Sequence, residues 1–91
     1  MSLVRKRLRI AGRVQGVGFR YTAAETAHGL NLGGFVRNCQ DGTVEAVAEG
    51  EAEHVAAFVA WCGHGPAGAR VTRVDVTDEA PAGEREFRIE R

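Results

Sequence analysis

From about Lys6 to Val14 the chain alternates, with Leu8 and Ile10 on one side and Arg7, Arg9 and Arg13 on the other. A period of two with one apolar face predicts a half-buried strand. The glycine-rich stretch Gly12-Arg13-Val14-Gln15-Gly16-Val17-Gly18 closes it. Helical spacing follows from about Phe19 to His28, with Ala23, Ala27 and Leu30 as the apolar positions and Gly29 as a stop. Phe35 to Cys39 reads as a second strand after Gly33-Gly34, and Gln40-Asp41-Gly42 is a hairpin turn leading to a third strand, Thr43 to Glu49. Beyond Gly50 a second helix is predicted from Glu51 to about Cys62, because Val55, Phe58, Val59 and Cys62 make a helical apolar stripe. Glu51 and Glu53 suit its first turn electrostatically. Residues 63–69 are loop. Val71 to Thr77 alternates as a fourth strand, with Val74 and Val76 on one face. Asp78 to Glu84, which carries Pro81 and Gly83, is a connection, and Glu86 to Glu90 makes a short last strand with Phe87 and Ile89 inward.

This order is βαββαβ plus a terminal strand. It predicts an α+β, ferredoxin-like sandwich in which two helices cover one face of a mainly antiparallel sheet. Ninety-one residues make a single domain, 1–91, and 44% hydrophobic with 26% charged residues describes an ordinary globular chain. The net charge of zero hides an asymmetry. Met1 to Gln40 holds seven Lys/Arg and one acid, whereas Asp41 to Arg91 holds five Arg and eleven acids. The half with the glycine loop is basic and could draw in a small anion, although the basic face of the first strand is more simply read as solvated. Cys39 and Cys62 have no metal-type spacing; a bridge between them is possible in principle, but two reduced thiols are the favoured reading. No apolar run follows the basic start, and none is long enough to span a membrane, so a cytoplasmic protein is expected.

The chemistry concentrates where the glycine loop meets the first helix. Arg20 falls in the first helical turn, where a cation opposes the helix dipole. No Ser, Thr, Asp or Asn lies between Val14 and Arg20 to cap the free N–H groups. Free donors, a flexible loop and a guanidinium together suit an anion, and phosphate is the natural one. The loop lacks the third glycine of a dinucleotide fingerprint and the Lys-Ser/Thr pair of a Walker loop. A tight turn would reverse the chain equally well, but would not require Arg20.

Asn38 shares a face with Val36 near the end of the second strand. Its amide can hold a water, or it can bond to backbone beside the Asp41-Gly42 turn. His28, His54 and His64 are not brought near Arg20 by any sequence signal and read as surface or capping residues; with the cysteines they make no zinc spacing.

GRVQGVGFRY followed by GFVRNCQDGTVE closely resembles the acylphosphatases, and the likeness runs nearly end to end, through the second-helix stripe to Phe87-Arg88-Ile89. The resemblance implies a hydrolase that splits small acyl phosphates into carboxylate and inorganic phosphate without metal or cofactor. It implies that Arg20 is the catalytic, phosphate-binding arginine and Asn38 the residue that orients the attacking water. Backbone N–H groups of Gln15, Gly16, Val17, Gly18, Phe19 and Arg20 would form the phosphate cradle. Cys39 stands where the family often has Thr or another polar residue. Such sparse machinery is sufficient in principle. A carboxylate leaving group, whose conjugate acid has a pKa of about 4, needs no general acid. A phosphoryl oxygen can take the proton of the incoming water, so positioning and electrostatics carry the step.

The rival from another class is a ferredoxin-like RNA- or protein-binding module without catalysis. Gly18-Phe19-Arg20-Tyr21 loosely echoes an RNA-binding motif, but its aromatics open a helix rather than lie on a central strand. A further alternative is an acylphosphatase-like domain of a larger maturation enzyme; the full set of elements favours a stand-alone enzyme. The expected partner is a small-molecule acyl phosphate, with no nucleic acid, no membrane and a monomeric state.

Overall fold

In the computed structural model, which describes residues 2–91, the alternating start forms β1 over Leu3–Arg13. The elements that follow are α1 (Phe19–Gly29), β2 (Gly33–Asn38), β3 (Val44–Glu51), α2 (Ala52–Cys62), β4 (Arg70–Glu79) and β5 (Phe87–Glu90). The sheet order is β4-β1-β3-β2-β5; β5 runs parallel to β2, and every other neighbouring pair is antiparallel. α1 lies over β2 and β5, and α2 over β1 and β3. The expected ferredoxin-like layering is therefore present, with both helices on one face.

Alternation decides which face the helices cover. Leu8, Ile10, Val36, Val44, Ala46 and Ala48 are fully buried and form the sheet side of the core. Phe19, Ala23 and Ala27 of α1 and Val55, Phe58 and Cys62 of α2 close it from above. Leu30 and Val59, expected in the stripes, are only partly buried. Cys39 and Cys62 are both free thiols, and burial pushes the Cys62 thiol up to about 12.

The strands run longer than the alternation indicates, because pairing extends β1 back to Leu3 against Glu51 and β4 out to Glu79 against Arg5. Burial along the outer strands also differs from the expectation. Val76 is 43% exposed because β4 is an edge strand with β1 as its only neighbour, and Ile89 is 42% exposed although it lies on the inward-pointing set of β5.

The basic face of β1 is only partly solvated: Arg9 and Arg13 are exposed, but Arg5 and Arg7 are paired with carboxylates across the sheet. Arg5 is 9% exposed and bonds to Glu49 at 2.9 Å, Glu79 at 3.0 Å and Glu84 at 3.0 Å. Glu45 accepts from Arg7 at 2.8 Å and from Arg37 at 2.7 Å. Arg9 faces Asp41 at 3.4 Å, and on the opposite face of β1 Lys6 pairs with Asp78. Acids of the second half of the chain thus sit opposite Arg5, Lys6, Arg7, Arg9 and Arg37 of the first, which reduces the polarity that the sequence halves display. Burial tends to lower the Arg5 guanidinium's pKa, but its three carboxylate partners outweigh this and hold it above its ordinary value.

Candidate active site

Helix α1 begins on Gly18, which has a left-handed backbone (φ 78°) and gives no side-chain cap. No acid stands in the first turn. The initial N–H groups of a helix have no intrahelical acceptor, so donors and the positive end of the dipole meet at this point. The first helical bond runs from Thr22 N to Gly18 O at 3.1 Å.

A cleft of about 690 Å³ opens over this helix start. Gly16, Gly18, Phe19 and Arg20 line it from the loop and α1, and Asn38 lines it from the end of β2. Arg20 and Asn38, eighteen positions apart, therefore share one cavity because β2 lies under α1. Arg20 is half-buried and takes part in no ion pair among the described residues, in contrast to Arg5, Arg7, Arg9 and Arg37. Its charge is left for something else. Asn38 is half-buried beside the fully buried Val36. The side-chain bonds that brace the hairpin after it come from Asp41, which accepts from Thr43 N and Oγ1, and from Gln15; none involves Asn38 among the described residues.

The six expected loop residues divide between two roles. Gly16, Gly18, Phe19 and Arg20 face the cleft, whereas Gln15 and Val17 do not line it. The Gln15 amide donates to Cys39 O at 2.8 Å and Thr43 O at 2.9 Å, and Val17 packs against the core. Phe19 also anchors the helix start: it is 2% exposed, with its ring 5.3 Å from that of Trp61.

Val14, Tyr21, Ile89 and Arg91 line the cleft too, and sequence reasoning did not single them out. Tyr21 adjoins Arg20, and Ile89 stands on the inward set of its strand, so both carried a signal. His28 lies elsewhere, with Nε2 2.9 Å from Phe87 O, and neither His54 nor His64 lines the cleft. Among the described residues no group of three or more His, Cys, Asp or Glu is arranged to hold a metal ion.

The family model for acylphosphatase matches residues 6–89. An acylphosphatase of Thermococcus kodakarensis is 53% identical over 89 residues, covering 98% of each chain. The crystal structure of acylphosphatase from Bacillus subtilis matches with a TM-score of 0.94 and 37% identity, covering 97% of this chain and 99% of that one. Full-length HypF contains a similar unit: TM-score 0.88 and 25% identity over 99% of this chain, but 12% of that one.

Proposed function

The chain belongs to the acylphosphatase family, and from that membership we infer that it hydrolyses small acyl phosphates to a carboxylate and inorganic phosphate. Arg20 and the loop N–H groups from Gln15 to Arg20 bind the phosphoryl group, and Asn38 orients the attacking water. The observation that carries this assignment is an arginine without an ion pair, set at an uncapped helix start in the same cleft as Asn38.

The reaction follows from that geometry. The guanidinium offers two parallel N–H donors to phosphoryl oxygens, and the N–H groups at the helix start offer more. Charge on the transferring group is therefore met by donors already in place. The Asn38 carbonyl accepts from the water, directing its lone pair at phosphorus. The new P–O bond forms as the bridging P–O bond breaks, and the electron pair leaves on the carboxylate. Both water protons end on the phosphate, so charge and atoms balance as acyl phosphate dianion plus water gives carboxylate plus dihydrogen phosphate. No protein acid or base is required.

The reaction is metal-independent in this reading, since Arg20 and the backbone donors perform the neutralisation that a cation would otherwise supply. The protein acts as one monomeric domain over 1–91, and its two free thiols suit a reducing cytoplasm. No nucleic-acid partner is expected: the open sheet face carries Arg–Glu pairs and a single aromatic, Phe35, already covered by Arg7 and Arg88, rather than a set of stacking aromatics. The deciding experiment is hydrolysis of benzoyl phosphate in the presence of EDTA. Turnover is expected; its absence would remove the metal-free enzyme reading, and retention of RNA at moderate salt would favour a binding module.

A further inference from the structure

We propose that Tyr21 and Ile89 form the walls against which the acyl half of the substrate packs, so that this enzyme favours acyl phosphates with an apolar, ring-sized acyl group. The proposal rests on the reading that Arg20 and Asn38 hold the phosphoryl end, and it concerns what fills the remainder of the same cleft.

The cleft is larger than its phosphoryl end requires. About 690 Å³ lies within the roughly 300–1,000 Å³ of cavities that hold a whole small molecule. What lines the remainder is unusual for this surface. Four large hydrophobic side chains are exposed among the described residues, and two of them, Tyr21 at 68% and Ile89 at 42%, line this one cleft. Leu3 and Val76, the other two, do not.

Their placement follows from the elements. Tyr21 succeeds Arg20 in the first turn of α1. Ile89 pairs with Val36 in the parallel β2–β5 ladder, so it stands one side-chain step back from Asn38 on the same face. Arg20 and Asn38 thus make a polar pair reaching from helix and sheet, and Tyr21 with Ile89 makes an apolar pair beside it. An exposed aromatic and an exposed aliphatic side chain gain most from covering apolar ligand surface, and a planar ring suits the tyrosine face. Arg91 also lines the cleft, but it is exposed, where an ion pair with a carboxylated acyl group would be weakened by water.

The test compares kcat/KM for benzoyl, acetyl and succinyl phosphate in the wild type, Tyr21→Ser, Ile89→Ser, the double variant and Tyr21→Phe, with Ki for inorganic phosphate measured on each and phosphate binding measured on Arg20→Ala. The wild type is expected to favour benzoyl phosphate. The double variant is expected to lose about tenfold of that preference, with phosphate Ki within about twofold of wild type. Tyr21→Phe, which keeps the ring, is expected to keep the preference. An unchanged ratio in the double variant would overturn the proposal, as would a wild-type preference for acetyl phosphate or for the carboxylated succinyl phosphate. A parallel loss on both substrates with weakened phosphate binding would also overturn it, assigning these side chains to the phosphoryl end. Failure of the underlying site assignment reads out separately, as phosphate binding that survives Arg20→Ala.

Discussion

The side-chain amide of Gln15 donates to the carbonyl of Cys39 at 2.8 Å, and Cys39 directly follows Asn38. A second bond from the same nitrogen reaches Thr43 O at 2.9 Å. One side chain of the glycine loop therefore clasps both ends of the hairpin turn that follows Asn38. In the proposed mechanism the loop carries the phosphoryl group and β2 carries the water, so Gln15 fixes one reactant against the other.

Replacing Gln15 should accordingly cost rate more than binding. Gln15→Leu is expected to lower kcat on benzoyl phosphate by about tenfold or more, because small misplacements of reacting atoms are expensive. Phosphate Ki should change much less. Gln15→Glu should be worse than Gln15→Leu at neutral pH, since a carboxylate would face two carbonyl oxygens with nothing to donate. Equal losses for the two variants would refute the clasp.

Two glycines should respond differently to alanine. A Cβ on Gly34 (φ 129°) would lie 1.9 Å from the Val47 carbonyl oxygen, so β2 would have to move off β3. Gly18 (φ 78°) has open space, and a Cβ there carries only the strain of left-handed backbone, about 1–2 kcal/mol. Urea unfolding should show Gly34→Ala losing about 3 kcal/mol or more. Gly18→Ala should lose less stability but show reduced turnover, because it alters the helix start beneath the phosphoryl site.

Acid should unfold the protein through the carboxylates on the open sheet face. Burial alone would raise Glu45 and Glu49, but Arg37 and Arg7 at Glu45 outweigh it, as do the Ala82 N–H, Arg5 and the Gly83 N–H at Glu49. Both carboxyls lie below the ordinary value of 4.5. A depressed folded-state pKa contributes stability that is fully present above the unfolded value and is lost as pH falls through the folded one. Thermal midpoints should therefore stay level from about pH 7 to pH 5 and decline below pH 4.5. Glu49→Gln should lower the neutral-pH midpoint and flatten the acid decline. A decline of unchanged steepness would remove Glu49 from this role.

The order of the elements was legible because the alternating and helical patterns are local. So was the chemistry at the loop: Arg20 is out of place in a helix start whatever the fold. What escaped sequence reading depends on pairing between distant strands. Arg5 reads as one more surface cation until β3 and β4 bring Glu49 and Glu79 against it. Most cations of the first sequence half meet acids of the second for the same reason. Alternation put Ile89 on the correct face, but only the extent of α1 decides whether that face is covered by helix or opens into a cleft. Gln15 was read for its backbone N–H, while its side chain turned out to bridge to a hairpin more than twenty residues away.

The division of labour between Arg20 and Asn38 is tested most directly by measuring kcat on benzoyl phosphate and Ki for inorganic phosphate on the two alanine variants side by side. Arg20→Ala should lose nearly all turnover and weaken phosphate binding by about a hundredfold. Asn38→Ala should lose about a hundredfold or more in kcat with phosphate Ki within about twofold of wild type. Wild-type turnover in Asn38→Ala, or wild-type phosphate binding in Arg20→Ala, would contradict the account.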